Sequence, residues 1–127
     1  MIKPNDIYKC NICGNIVELL HNGNGKLVCC GESMEKQIEK EEEEGTEKHI
    51  PVFEKNDKTF SILVGKEIHP MEGSHYIEWI EVFSRGKSFK KFLKPGDYPS
   101  FDFENNLGED LIIRSYCNVH GLWKLKI

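Results

Sequence analysis

Four of the five cysteines of this 127-residue chain fall in its first 37 positions, as Cys10 and Cys13 in YKCNICG and Cys29 and Cys30 in LVCCGES. No other feature restricts the fold so tightly. The stretch between the pairs, NIVELLHNGNGKLV, holds few large apolar side chains, and a piece of about 40 residues usually needs a metal or disulfides in place of a core. A Cys-x-x-Cys loop lets two thiolates face one ion, with backbone N–H groups of the loop donating to the sulfurs. Cys29 and Cys30 pose a harder problem, because neighbours on an extended strand point to opposite faces. They share a partner only if the chain turns between or just after them, and Gly31 supplies the backbone freedom for that turn. The four thiolates then form one cage, and its adjacent pair leaves little slack, so a distorted tetrahedron is expected. Tetrahedral sulfur suits zinc as well as iron. A redox dithiol, or simply buried thiols, is the plain alternative. The apolar segments on either side of HNGNGK predict a β-hairpin with a glycine-rich turn that brings the two pairs together.

The texture changes after residue 37. MEKQIEKEEEEGTEKH is strongly acidic and reads as a solvated connector over residues 38–45, with a short helix over 35–43 as the lesser possibility. From residue 46 to 127 the pattern is β throughout. Phe60, Ile62 and Val64 alternate in KTFSILVG, as a half-buried strand requires. In YIEWIEVF the apolar parity shifts near Trp79 and Ile80, which calls for a bulge or burial on both faces. SRGKS and KPGDYP are turn signals, and PSFDFE, LIIRSY and LWKLKI supply further strands. About seven short strands without a convincing amphipathic helix predict an antiparallel β-sandwich.

A net charge of −4 and the lack of a long basic stretch argue against a nucleic-acid partner. MIKPNDIYK lacks the apolar core of a secretion signal, and no run reaches membrane-spanning length. Together these predict a cytoplasmic chain that uses no membrane, with reduced cysteines that serve as metal ligands or redox groups.

Beyond residue 46 stand His49, His69, His75 and His120, with Cys117 in YCNVHG. Singly each has a dull explanation, such as a surface or core histidine or a packed thiol. As a set they are more suggestive. CNVH spaces a thiolate and an imidazole so that both can reach one ion, and EIHPMEGSH adds two histidines across a loop interrupted by proline and glycine. All would lie at strand ends or loops, where separate segments converge. The backbone N–H groups of Val119 and His120 are placed to donate to the Cys117 sulfur. His21, in the HNGNG turn, reads as an exposed turn residue.

TEKHIP, the HP…H arrangement of HPMEGSH and the terminal CNVHG resemble the superoxide reductase family, and the added CNIC…CC unit makes the whole length similar to desulfoferrodoxin, its two-iron form. The resemblance implies a desulforedoxin-like domain over 1–37 with one iron on Cys10, Cys13, Cys29 and Cys30. It implies an immunoglobulin-like β-sandwich over 46–127 with a second, square-pyramidal iron held in one plane by His49, His69, His75 and His120, with Cys117 below. The sixth position would be open in the ferrous state and taken by Glu47 after oxidation, while Lys48 attracts the anionic substrate. The implied reaction is one-electron reduction of superoxide to hydrogen peroxide, in a homodimer re-reduced by a rubredoxin-type donor. Two other readings stand beside it. One is an electron carrier without a substrate, and the other is a zinc-ribbon interaction module fused to a sandwich, which leaves four histidines and Cys117 without a purpose.

Overall fold

The computed structural model describes residues 3–41, 49–56, 58–65, 68–104 and 110–127. It contains no helix among them, so none is long and apolar enough to cross a membrane. The chain divides into two compact units, Pro4–Ile38 and Glu39–Ile127.

The smaller unit is built of β1 (Asp6–Lys9), β2 (Ile16–Leu19), β3 (Val28–Cys29), β4 (Glu32–Ser33) and β5 (Glu35–Lys36). Among its described residues only Ile7 and Cys10 are buried, so apolar packing alone does not hold it. The hairpin expected across HNGNGK does not form. β2 pairs with β1, which also pairs with β5, while β3 pairs with β4. Two hairpins therefore stand where one was expected, and each carries a cysteine pair at its tip. The physical reason is turn geometry: the tight turns after Cys10 and Cys29 fix strand register, which a six-residue Gly/Asn-rich loop does not. Glu35 and Lys36, the start of the alternative helix, are strand.

The larger unit contains β6 (Pro51–Lys55), β7 (Thr59–Val64), β8 (Ile77–Ser84), β9 (Lys87–Phe92), β10 (Ser100–Glu104), β11 (Leu111–Cys117) and β12 (Gly121–Lys126). They form two antiparallel sheets, ordered β10-β7-β6 and β12-β11-β8-β9. This is an immunoglobulin-like sandwich. Phe60, Ile62 and Val64 all point inward and meet Ile80, Val82, Leu111 and Ile113 in the core. The β8–β9 connection is a two-residue turn with Arg85 and Gly86 both at positive φ, 48° and 83°, the backbone that matches strand twist in a tight hairpin.

The parity shift in YIEWIEVF is explained twice over. From Trp79 to Ser84 both faces of β8 are buried. In addition, Tyr116 opposes Trp79 whereas Cys117 opposes Ile77, so Glu78 is an extra residue in the ladder. The bulge turns Ile77 inward against Cys117, and both are fully buried. Glu39 and Lys40, within the stretch read as a connector, belong to this larger unit: Lys40 bridges Trp123 in parallel.

Candidate metal centres

The first cluster is made by the two hairpin tips. Past β1, Gly14 N–H donates to the Cys10 carbonyl at 3.0 Å and Cys13 N–H to the Cys10 sulfur at 3.4 Å. Past β3, Cys30 and Gly31 form a two-residue turn with φ of 54° and 76°. Cys30 itself thus adopts the left-handed conformation, and this turn lets adjacent thiols converge. Sγ atoms of Cys13 and Cys29 stand 3.6 Å apart and those of Cys29 and Cys30 3.9 Å. A tetrahedral ion with bonds of 2.3 Å to sulfur separates its sulfurs by about 3.8 Å. All four sulfurs lie within 4.8 Å of one another. The N–H groups of Cys13 and Ile12 lower the Cys10 thiol to about 6, whereas the neighbouring thiols of Cys13 and Cys29 push Cys30 up to about 12. One thiolate forms readily and its neighbours resist ionisation, a conflict that a bound cation removes. Asn15 Nδ2 lies 3.7 Å from the Cys29 sulfur as an additional donor.

The second cluster draws on four separate places in the larger unit. His49 lies just before β6, His69 and His75 occupy the loop between β7 and β8, Cys117 ends β11, and His120 lies in the turn to β12. The imidazoles form a closed ring. Centroids are 4.7 Å apart for His49–His69, 4.7 Å for His69–His75, 5.1 Å for His75–His120 and 4.5 Å for His120–His49. The diagonal His49–His75 is 6.3 Å. These are the proportions of a four-sided ring. Ligand atoms of His49, His69, His75 and Cys117 lie within 4.8 Å of one another. His120 joins through Nδ1, 2.9 Å from His49 Nε2 and 3.8 Å from the Cys117 sulfur.

The surroundings orient these groups. The Pro70 carbonyl lies 2.7 Å from His69 Nδ1, which fixes that nitrogen as the donor and turns Nε2 into the ring. His69 Nε2 is buried with no hydrogen-bond partner among the described residues, an orphan that a cation would satisfy. Burial, then the adjacent imidazoles, push the His69 pKa down to about 4, so the ring is neutral near pH 7. Burial raises the Cys117 thiol, while the N–H groups of His120 and Val119 pull it back; the His120 N–H lies 3.4 Å from the sulfur. The Ser115 hydroxyl holds the His49 carbonyl at 3.0 Å, and Trp123 stacks on the His49 ring at 4.7 Å and 13°. Asn118 ties two ligand segments together: Oδ1 accepts from Tyr76 N–H at 2.9 Å and Nδ2 donates to the Ser74 carbonyl at 3.2 Å. His49 and His69 are buried, His75 is half-buried and His120 is exposed, so the ring meets solvent along one edge.

Every cysteine and histidine expected as a ligand is thus in one of two clusters, and His21 is exposed. Glu47 and Lys48 lie outside the described residues. Asn118, Ser115 and Trp123 were not singled out from sequence, although Asn118 lies inside CNVH. Nothing in their residue type marks them, since their role comes from contacts across the fold.

The comparisons with known proteins agree along the whole length. The family model for the desulfoferrodoxin N-terminal domain matches residues 3–37, and that for desulfoferrodoxin matches residues 41–126. The chain belongs to the desulfoferrodoxin family. Desulfoferrodoxin from Nitratidesulfovibrio vulgaris is 51% identical over 119 residues, covering 94% of each chain. Among solved structures, superoxide reductase from Treponema pallidum superposes with a TM-score of 0.77 at 23% identity, over 96% of this chain and 98% of that one; this likeness speaks for the fold. Superoxide reductase from Nanoarchaeum equitans is 31% identical, with a TM-score of 0.55, and covers 71% of this chain and 98% of its own. Iron fits both clusters: four sulfurs suit a tetrahedral ion, and five donors around the second point exceed the four of a structural zinc site.

Proposed function

We propose that this chain is a superoxide reductase, which combines superoxide with one electron and two protons to give hydrogen peroxide. The observation that carries the reading is the closed ring of four imidazoles with a single thiol beside it. His49, His69, His75, His120 and Cys117 would hold the catalytic iron, and Cys10, Cys13, Cys29 and Cys30 the other. When bound, ferrous iron at the five-residue centre supplies the electron and an electropositive position for a small anion.

The chain's own groups prepare that centre. Neutral imidazoles leave their lone pairs free, and His69 keeps its neutral form because burial opposes protonation. The His120 N–H donates to the Cys117 sulfur and favours its thiolate, an electron-rich ligand. The ring is exposed at His120, while Ile77, opposite Cys117 in the ladder, lies with it in the buried core. Superoxide is an anion and the chain carries −4 overall, so local positive charge must bring it in. Lys48 is assigned that role, and Glu47 would offer a carboxylate to the ferric ion, whose charge favours the ionised form.

Around this reaction the remaining assignments follow the resemblance. The domains are 1–37 and 46–127, joined through 38–45, of which Glu39 and Lys40 pack with the larger unit. A rubredoxin-type protein is the electron donor, the chain is a homodimer, and it works in the cytoplasm. The four-cysteine iron carries electrons, stiffens its small unit, or both.

Metal analysis and pulsed superoxide test the proposal together. Iron-loaded chain should consume superoxide and, with a reductant present, release one hydrogen peroxide per superoxide and no dioxygen. A colourless zinc protein, or a chain whose iron is reduced and oxidised without reacting with superoxide, would replace the enzyme by an interaction module or a carrier.

A further inference from the structure

Lys40 lies in the acidic run MEKQIEKEEEE, where a charge ordinarily serves only solubility. Its placement is more specific. Glu39, Lys40 and Glu41 run alongside β12: Lys40 N–H donates to the Leu122 carbonyl at 2.9 Å, and Lys124 N–H donates to the Lys40 carbonyl at 2.8 Å. Extended backbone sends successive side chains to opposite sides, and here this separates the acids from the lysine. Glu39 and Glu41 pair with Lys124 at 3.5 and 3.8 Å, and Glu39 also with Arg114 at 3.4 Å.

Lys40 faces the metal centre. Its Nζ donates to the His120 carbonyl at 2.7 Å and lies 5.1 Å from the centroid of the Trp123 ring, within the reach of a cation–π contact. Gly121, the residue after His120, takes φ 87°, a left-handed backbone that glycine adopts without strain. Trp123 in turn stacks on His49. One ammonium therefore grips the backbone of one ligand residue and the aromatic support of another. Among the described residues no carboxylate lies within ion-pair distance of it, because its acidic neighbours are engaged on the opposite side.

We propose that Lys40 is a positioning residue for the four-histidine, one-cysteine centre. Its ammonium holds the turn from Cys117 to Gly121 against Trp123 and His49, and its charge favours the ferrous over the ferric state. The physical basis is Coulombic: a fixed positive charge beside the centre disfavours whichever oxidation state is more positive. The proposal rests on the reading of that centre as an iron site. It gives the chain a second cation, separate from Lys48, placed beside the Cys117–His120 turn.

The test is a redox titration of the iron-loaded chain, followed through the ferric absorption of the five-residue centre, in parent, Lys40→Met and Lys40→Arg. In Lys40→Met the ferrous-to-ferric ratio at a fixed poise should fall about threefold, which is ~28 mV for one electron at 59 mV per tenfold. Lys40→Arg should keep the parent potential. The gap between parent and Lys40→Met should narrow in about 1 M salt, where the Debye length falls to about 3 Å. An unchanged potential in Lys40→Met, or an equal shift in Lys40→Arg, overturns the proposal. If the parent itself takes up no iron at these five residues, it is the underlying site assignment that fails, and the titration reports this before any variant is compared.

Discussion

Glu81 and Arg114 stand opposite one another on neighbouring strands β8 and β11, both fully buried, with guanidinium Nε donating to carboxylate Oε1. Lys90 reaches the other carboxylate oxygen at 2.7 Å, and Glu39 meets Arg114 Nη1 at 3.4 Å. The row ties β9, β8 and β11 to the segment that leads toward His49. Burial opposes ionisation of Glu81, but the bonds from Arg114 and Lys90 outweigh it and hold the carboxyl below its ordinary range.

Glu81→Gln takes the closer charge partner from the buried guanidinium, which keeps its longer contact to Glu39, and should destabilise the larger unit by about 3 kcal/mol. The sign of the pH dependence follows from the lowered pKa. The pair's contribution is fully present above the unfolded carboxyl value of about 4.3 and is lost as pH falls through the folded value. Thermal melts of parent and variant should therefore converge in acid below about pH 4. An offset that stays constant into strong acid would show that charge is not its origin.

Asn118→Ala removes two bonds that tie the loop around His75 to the turn between Cys117 and His120. At about 1 kcal/mol for each bond, iron should leave the five-residue centre on the order of tenfold faster in a chelator competition. Release from the four-cysteine centre should not change. Equal acceleration at both centres would point to general unfolding.

Gly31→Ala places a Cβ at φ 76° beside Cys30, which already occupies the left-handed region. Space is not the obstacle, since nothing lies within 4 Å; the cost is conformational, roughly 1–2 kcal/mol. The measured outcome should be faster metal loss from the four-cysteine centre, with superoxide reduction driven by a small-molecule reductant left unchanged. Parent-like retention of the metal would show that the turn tolerates a side chain.

Lys48→Ala should lower the second-order rate with superoxide on the order of tenfold at low ionic strength while iron stays bound. Stopped-flow or pulse measurements against salt check this, and a rate equal to the parent's at low salt removes the steering role. Glu47→Ala should alter the resting ferric absorption and its pH dependence more than the initial rate. Identical ferric spectra in variant and parent would rule out coordination by Glu47.

The two metal centres were legible before the fold because ligand chemistry depends on residue type. Thiols crowded into a piece too small for a core favour a shared cation, whereas the histidines and Cys117 gain that meaning only as a set and through the family resemblance. The alternation of Phe60, Ile62 and Val64 was equally plain, since one face of that strand is buried and the other is not. The hairpin across HNGNGK was misread for a definable reason. Local pattern marks strands and turns, but which strands pair depends on partners elsewhere, and β1 supplies the ladder that β2 was expected to take from the β3 region.

The sequence by itself determined the donor set, its division into four sulfurs and a mixed group, and the all-β character, because these follow from side-chain chemistry and a period of two. Only the tertiary structure decided how the donors meet. The Glu78 bulge sets Ile77 opposite Cys117, Asn118 joins two loops, and Lys40 reaches His120 across 80 residues of chain. Such contacts are long-range: they appear only once folding has brought distant backbone within hydrogen-bond distance, and no local pattern carries that information.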